Sequence, residues 1–336
     1  MRIAVIGPIY LDSFAKCIVH ALRDMGHEVL SIDPDRGLLG NKRKSIEMAL
    51  FKTYPVLESF KWKRAIVEIK NFKPEIILSV LWDIPPAILA DLKRSPEREP
   101  IATVWCADAL TQFFRQYVFV APWDYLFFKD HYIVDFFREK LQLNAHLLPL
   151  ACYPKWHHKV ALTAEEQRIY GCEITTAGGF YHYRTKFFEH FMQYQMKLWG
   201  PPPSNYIKSP VLKCAQGRYV GELEKAKAFN GAAIVLNNMH YAEIMGVNQR
   251  VFDACGCGAF QIVDASPVME DYFIPGKELV CFSNLKELQE LIPYYLNRPQ
   301  ERAEIAQAGY LRAHREHTFQ QRLEKMLNVI SGNPKS

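Results

Sequence analysis

The sequence has no long apolar run and none of the patterns of a secreted or membrane-spanning chain. No stretch of its 336 residues approaches the about 18 consecutive apolar residues of a membrane-spanning helix. The apolar stretch at the N-terminus is short and breaks at Gly7-Pro8, so it predicts a buried first strand rather than a signal peptide. We therefore expect a cytoplasmic protein with no transmembrane segment.

Paired cysteines and a large excess of charge are also missing. The eight cysteines include no Cys-x-x-Cys pair, which a zinc knuckle or a thioredoxin-like site would need. The predicted state of these thiols is reduced and mostly buried, as in cytosolic proteins. Lys and Arg number 41 against 36 Asp and Glu, and this small excess gives no clear signal for nucleic acid.

The sequence does contain ample apolar material in a regular alternation. Hydrophobic residues make up 49% of the chain and charged residues 23%, which is typical of folded domains. Near-continuous apolar segments separated by helical segments predict parallel sheets that are covered on both faces. The expected strands lie at 2–7, 28–33, 75–82, 101–108, 124–129 and 145–150, and then at 173–179, 196–200, 232–238, 259–264 and 278–282.

This order predicts an α/β fold with two Rossmann-like, doubly wound domains that face each other across a cleft. We expect an N-terminal domain over 1–165 and a C-terminal domain over 166–316, followed by an amphipathic helix at 319–330. In such folds ligands bind outside the carboxyl ends of the strands. The loops that follow the strands are therefore where site residues are expected.

One such loop is glycine-rich and is followed by basic residues. Gly178-Gly179 ends a predicted strand, and a helix is predicted to begin a few residues later. Glycines there allow a phosphate to approach the backbone, and a helix N-terminus offers amide donors. Arg184 could bind a diphosphate bidentately, and Lys186 could add positive charge. The alternative is that Gly178-Gly179 forms only a tight turn.

A second segment places polar residues before a glycine-rich helix end. Asn248 and Arg250 stand at the start of a predicted helix, where they could contact phosphate or sugar. The carboxylate of Asp253, one helical turn further on, could accept hydrogen bonds from both hydroxyls of a ribose. The alternative is that Asp253 pairs with Arg250 on a solvated helix face.

The segment from Asn248 to Phe260, with Asp264 and Phe273-Ile-Pro-Gly-Lys-Glu-Leu after it, resembles the C-terminal signature of the spore-maturation (CgeB-like) glycosyltransferases. The resemblance extends over about residues 174–325 and includes Glu316-His-Thr-Phe-Gln-Gln-Arg near the end. The family belongs to the GT-B class of nucleotide-sugar glycosyltransferases. The resemblance implies a nucleotide diphosphate-sugar in the C-terminal domain, an acceptor in the N-terminal domain, and a final segment, 317–336, that packs back on the N-terminal domain.

The resemblance also implies roles for individual residues. Asp253 corresponds to a residue that holds the nucleotide ribose, Arg184 to a basic residue on the diphosphate, and Asn248 and Arg250 lie in the matching loop. Many retaining relatives carry Glu-x7-Glu, but here Met245 stands eight positions before Asp253. The resemblance therefore implies neither a role for Glu243 nor the stereochemistry of transfer.

In the N-terminal half, Trp105-Cys106-Ala107-Asp108 resembles the family's tryptophan-x-x-aspartate at the cleft. The Asp108 carboxylate could deprotonate or orient the acceptor hydroxyl, which makes it the predicted catalytic residue. It could instead cap a helix. Gly7 resembles the glycine of a loop that lets the donor phosphate or the acceptor approach, or it is a strand-ending turn. Aromatic residues at 113–123, including Phe113 and Phe114, could stack an acceptor or form core.

The predicted function is the transfer of a sugar from a nucleotide diphosphate donor, with UDP favoured, to a hydroxyl acceptor. Arg, Lys and helix N-termini can neutralise the leaving diphosphate, so we predict that no metal is needed and that no other cofactor is bound. The alternatives are a non-catalytic nucleotide-sugar binding protein and a sugar epimerase on the same scaffold.

Overall fold

The computed structural model describes residues 1–11, 13–34, 55–109 and 116–332, and only the backbone of 55–60. The chain divides into two compact units. The first contains residues 1–149 and the chain from Leu323 onward, and the second contains residues 150–322. Each unit contains one parallel β-sheet with its own buried apolar clusters. No helix in the described ranges has the length and hydropathy to span a membrane.

The first unit holds a six-stranded sheet in the order β2-β1-β3-β4-β5-β6. All five neighbouring pairs are parallel. The strands are β1 (Arg2–Ile6), β2 (Glu28–Ile32), β3 (Ile76–Ser79), β4 (Ile101–Cys106), β5 (Tyr125–Phe128) and β6 (Ala145–Leu147). The helices are α1 (Phe14–Asp24), α2 (Pro55–Phe72), α3 (Pro86–Lys93) and α4 (His131–Leu141). The sequence also predicts helices around residues 45–72, and residues 45–54 of that range lie outside the described residues.

The second unit holds a five-stranded parallel sheet in the order β11-β10-β9-β7-β8. Its strands are β7 (Cys172–Ala177), β8 (Met196–Trp199), β9 (Ala232–Asn237), β10 (Gln261–Asp264) and β11 (Val280–Phe282). Its helices are α5 (Ala164–Tyr170), α6 (His182–Phe188), α7 (Glu222–Asn230), α8 (Gln249–Gly256), α9 (Leu285–Leu296) and α10 (Pro299–Glu316). The last helix, α11 (Phe319–Ile330), ends in the first unit.

The boundaries between the units differ from the predicted domain boundaries. Residues 150–165 belong to the second unit because they bond to the end of α10 and the residues after it. The Cys152 amide donates to the His317 carbonyl at 2.9 Å, and the Phe319 amide donates to the Cys152 carbonyl at 2.9 Å. These pairings depend on contacts between distant parts of the sequence, so strand periodicity alone did not indicate them.

Several elements end where local chemistry predicts. Helix α1 begins after Ser13, whose hydroxyl accepts from the Lys16 amide at 3.2 Å. Helix α4 begins after Asp130, whose carboxylate accepts from the Tyr132 amide at 2.9 Å. Such caps satisfy amides that have no partner inside the helix. The predicted helix at 183–194 is shorter, because α6 ends at Phe188 and a 3₁₀ turn follows at Glu189–Phe191.

Candidate functional site

The carboxyl edge of the second sheet brings together two of the predicted loops. Asn248 is the N-cap of α8, and its side chain accepts from the Val251 amide at 3.3 Å. The Asn248 and Asn237 side-chain amides also bond to each other, at 2.9 and 3.2 Å. Asn237 is the last residue of β9, so this pair fixes the start of α8 against a strand end.

Arg250 extends from the first turn of α8 across two strand ends. Its Nε donates to the Ala177 carbonyl at 2.7 Å, and its Nη1 donates to Asn237 Oδ1 at 2.7 Å. Ala177 is the last residue of β7, next to Gly178. Arg250 therefore lies beside the glycine loop, as the sequence predicted, and it does not form the alternative pair with Asp253.

Arg184 reaches the same loop from α6. Its Nη1 donates to the Gly179 carbonyl at 2.7 Å, and its Nε donates to Asn238 Oδ1 at 3.2 Å. The side chain is buried, and this burial lowers the pKa of the guanidinium from its ordinary value. Both hydrogen bonds go to neutral oxygens. A buried cation held this way can pair favourably with an anionic ligand.

Gly178 is the point where the two arginines converge. A β-carbon there would lie 2.6 Å from Arg250 Nη2 and 2.7 Å from Arg184 Nη1. Gly178 also has φ +146°, a backbone conformation that other residues rarely adopt. This position, more than the neighbouring Gly179, therefore requires glycine. We call Gly178, Arg184, Asn237, Asn248 and Arg250 the guanidinium site.

Exposed aromatic rings lie next to the guanidinium site. The Arg184 guanidinium carbon is 5.7 Å from the centroid of the Tyr181 ring. The Tyr181 ring contacts His240 edge-on, and the Tyr183 ring contacts Tyr241 in the same manner. All three tyrosines are exposed. Aromatic faces beside an anion site are suited to stacking against a base or a sugar ring.

A carboxylate that the sequence analysis left without a role lies on the same edge. Asp264 ends β10, and its Oδ2 accepts from the Met239 amide at 2.6 Å. Burial raises the pKa of Asp264 to about 6. The position of Asp264 at a strand end was a signal for its place on this edge, but no neighbouring motif indicated a function.

Asp253 is not open to a ribose in this arrangement. It is 2% exposed, and its Oδ2 accepts from Lys225 Nζ at 2.7 Å. Its Oδ1 accepts from Gln249 Nε2 at 2.7 Å and lies 3.3 Å from His157 Nδ1. The structure thus differs from both expectations for Asp253, a ribose contact and a solvated pair with Arg250. His157 is also buried, at 1% exposed.

Gly7 lies at the carboxyl end of β1 and has a packing role. It is buried, and a β-carbon there would lie 2.3 Å from Val80 Cγ2 and 2.9 Å from Ala15 Cβ. Glycine at this position lets α1 and the end of β3 pack closely on β1. This geometry favours the strand-ending turn over the predicted approach of a phosphate at Gly7.

Asp108 is exposed and lies two residues after β4, at the carboxyl edge of the first sheet. The helix that it could cap would begin at residues 110–115, outside the described residues, so its role stays a prediction. Trp105 is fully buried, and its indole Nε1 donates to the Leu148 carbonyl at 3.1 Å. Phe113 and Phe114 also lie outside the described residues, whereas Phe119 packs in the core against Phe137.

One Asp-x-Asp triplet, Asp33-Pro34-Asp35, has to be weighed against the predicted metal independence, because paired aspartates often bind divalent cations. The Asp33 carboxylate accepts from the Ile9 amide at 3.0 Å, and Asp35 lies outside the described residues. Within the described ranges, no cluster of three or more His, Cys, Asp or Glu side chains could hold a metal ion.

The C-terminal half of the chain is similar to known proteins. Residues 184–328 match the model of a family described as "Glycosyl transferase-like". A segment of 126 residues is 27% identical to the spore protein CgeB of Bacillus subtilis (strain 168). That segment covers 34% of this chain and 38% of the spore protein. The match therefore spans well under half of the relative.

Solved structures share the fold over nearly the whole chain. A sucrose-phosphate synthase from Thermosynechococcus elongatus superimposes with a TM-score of 0.67 at 14% identity, over 98% of both chains. Anabaena Alr3699/HepE in complex with UDP-glucose gives a TM-score of 0.67 at 9% identity, over 99% of this chain and 100% of the other.

The chain thus has the GT-B fold, and the fold prediction is confirmed. The family match and the fold together support the predicted class, a nucleotide-sugar glycosyltransferase. The narrower assignment to the CgeB-like family stays a prediction.

The partners of Asp253, Lys225 and Gln249, were not predicted from the sequence. Lys225 is 28 residues away and is buried on α7. A signal was present, because Lys225 lies on the same helix face as the buried Ala228 and Phe229, three and four residues further on. A lysine on an apolar face requires a buried anion.

Proposed function

We propose that this chain transfers a sugar from a nucleoside diphosphate-sugar, with UDP favoured, to a hydroxyl-bearing acceptor, without a metal ion and in the cytoplasm. The observation that carries this proposal is the convergence of Arg184 and Arg250 on Gly178. The UDP and UDP-glucose complexes of the Anabaena protein support UDP as the nucleotide. The eight cysteines, which form no disulfide, support a reducing compartment.

The chemistry follows from the charge of the leaving group. In the reaction the bond between the anomeric carbon and the diphosphate oxygen breaks, and the acceptor oxygen forms a bond to that carbon. Negative charge then grows on the diphosphate. We propose that Arg184 and Arg250 stabilise this charge, because guanidinium groups bind phosphate oxygens bidentately and are already oriented by neutral oxygens.

Asn248 contributes to this site as the N-cap of α8 and through its pair with Asn237. We propose that these two amides hold Arg250 in position rather than bind the ligand themselves. The absence of a side chain at Gly178 lets both guanidinium groups come close to the backbone at the end of β7. The exposed rings of Tyr181 and Tyr241 are proposed to stack against the nucleobase or the sugar.

We further propose that Asp108 takes the proton from the acceptor hydroxyl or orients that hydroxyl. Its exposure and its place at the carboxyl edge of the first sheet support this role, because ligands bind at that edge in parallel α/β folds.

The experiment is a binding and turnover series on the full chain. Calorimetry in the presence of EDTA should show that UDP binds at least tenfold more tightly than uridine. A panel of UDP-sugars with hydroxyl acceptors should then release UDP and form a glycoside, and EDTA should not reduce the rate.

Other results would change the proposal. A requirement for Mn²⁺ or Mg²⁺ would contradict the proposed metal independence and would make Asp33-Pro34-Asp35 the candidate metal site. Conversion of the donor sugar without transfer would indicate an epimerase. Tight UDP-sugar binding with no turnover across the panel would indicate a binding protein. Failure to bind any nucleoside diphosphate would overturn the proposed function.

A further inference from the structure

Four polar side chains form a cluster around Asp253, and three of them, His157, Lys225 and Asp253 itself, are buried. We call His157, Lys225, Gln249 and Asp253 the Asp253 cluster. Lys225 Nζ donates to Asp253 Oδ2 at 2.7 Å, and Gln249 Nε2 donates to Asp253 Oδ1 at 2.7 Å. Lys225 is 5% exposed and Asp253 is 2% exposed. An ion pair shielded this completely is screened little by solvent, and breaking it leaves a charge in a buried environment.

Lys225 supplies the positive charge of the cluster. His157 Nδ1 accepts from the Tyr153 amide at 3.1 Å, so the imidazole proton is assigned to Nε2 and the ring is neutral. Burial lowers the pKa of His157 to about 4, in agreement with this assignment. Asp253 supplies the matching negative charge, because the Lys225 ammonium and the Gln249 amide each donate to one of its carboxylate oxygens.

The cluster connects the start of α8 to two other segments. Gln249 is the first residue of α8, directly between Asn248 and Arg250, and its Nε2 also donates to the Ala151 carbonyl at 2.5 Å. Lys225 ties the same helix to α7. At the other end of α8, a β-carbon on Gly256 would lie 2.6 Å from Cys152 Cβ, so the helix packs very closely on this segment.

We propose that Asp253 is a positioning residue. Its ion pair with Lys225 holds α8 against α7 so that Arg250, in the first turn of α8, reaches the ends of β7 and β9. This inference rests on the proposed function, because Arg250 is the group proposed to bind the diphosphate. It assigns Asp253 no contact with the ribose.

The test is a double-variant cycle on the full chain. Asp253→Asn keeps the size of the side chain and removes the negative charge of the pair, and Lys225→Met removes its positive charge. Each should lower Tm by roughly 10 °C, the scale of a broken buried pair in a chain of this size. The double variant D253L/K225M, which replaces both charges with apolar groups, should recover most of that loss. Glu166→Gln and Lys227→Met, which break a partly exposed pair at the same helix, are the controls and should shift Tm by about 2 °C or less.

Binding measurements distinguish a positioning role of Asp253 from a direct contact with the ribose. If Asp253 positions Arg250, D253N should lower the affinities for UDP and for pyrophosphate by the same factor, of about tenfold. The double variant should restore both affinities to within about threefold of those of the unmodified chain. If Asp253 instead contacts the ribose, the double variant should recover Tm but still lose UDP affinity, with pyrophosphate unaffected. That result would overturn the proposal.

A second readout does not depend on a ligand. Hydrogen exchange of peptides that cover residues 246–252 should accelerate in D253N and return toward the unmodified rate in the double variant. Unchanged exchange in D253N would overturn the positioning role. If the unmodified chain binds no nucleoside diphosphate, the proposed function fails, and the exchange result still decides whether Asp253 holds the first turn of α8.

Discussion

Arg184 Nη1 and Arg250 Nη2 lie 2.7 and 2.6 Å from the position that a β-carbon on Gly178 would occupy. Two side chains that are 66 residues apart in the sequence thus place their positive charges at one loop, at the carboxyl edge of one sheet. Two guanidinium groups at one loop can bind the oxygens of one diphosphate. This relationship makes the loop the strongest candidate for binding a diphosphate.

Gly178→Ala should weaken UDP binding by at least tenfold, because the added methyl group would displace both guanidinium groups and strain a backbone at φ +146°. Gly217→Ala is the matched control, since Gly217 also has a positive φ, of +67°, but no atom within 4 Å of the added carbon. It should cost roughly 1 kcal/mol of stability and leave the affinity unchanged. Equal affinity losses in the two variants, measured by calorimetry, would show that backbone strain alone explains the effect.

Arg184→Ala should weaken UDP binding by about 1.5–3 kcal/mol, the scale of a hydrogen bond to a charged group, while uridine binding should barely change. Lys186→Ala is the control, because Lys186 lies in the same helix but pairs with Glu189 at 2.9 Å on the surface. Calorimetric titrations of both ligands against both variants provide the comparison. If UDP and uridine lose affinity equally, Arg184 does not contact the diphosphate.

Asp108→Asn should reduce the rate of sugar transfer by roughly two to four orders of magnitude, because the amide cannot accept a proton. It retains most of the capacity to cap a helix, so Tm should stay close to the unmodified value. Donor affinity, measured separately, should also be nearly unchanged. A variant with a normal transfer rate would assign Asp108 to capping and direct the search for the base to Tyr10, Asp83, His182 or Glu243.

The free energy of unfolding should fall as the pH is lowered from about 6.5 to 4. Burial lowers the pKa of His157 to about 4, and burial together with Arg322 does the same for His317. In this range the unfolded chain binds protons at both histidines that the folded chain does not bind, so the unfolded state gains stability as acid is added. Each histidine should contribute a slope of up to about 1.4 kcal/mol per pH unit.

Urea unfolding across this pH range, with H157Q and H317Q, checks the assignment. Unfolding should take up about one proton fewer in each single variant than in the unmodified chain, and about two fewer in the double variant. The free energy of unfolding should therefore depend less steeply on pH. Asp264, with its pKa raised to about 6, increases the free energy of unfolding as the pH falls from 6 to 3.8. This contribution is the same in the unmodified chain and in the three variants, so it does not affect their comparison. An unchanged slope in H157Q would mean that this imidazole is protonated in the folded state.

The sequence by itself determined where the strands lie along the chain and the class of fold. Every described strand overlaps a predicted one, because buried parallel strands leave near-continuous apolar segments that need no knowledge of distant contacts. Helix α11 has the predicted bounds, 319–330, because its apolar positions follow the helical period. The sequence also identified the loop at Gly178, Arg184, Asn248 and Arg250, since these residues follow strands or begin helices.

The tertiary structure decided which of these side chains face a ligand and which are buried. Residues 251–256 of α8 are all buried, so the carboxylate of Asp253 lies inside the second unit and needs a cation. That cation, Lys225, comes from a helix 28 residues earlier in the chain. Local spacing fixes where a residue stands along its own helix, but the partners of a buried charge depend on how distant segments pack. The burial and the partners of Asp253 were therefore decided by packing and not by its position in the motif.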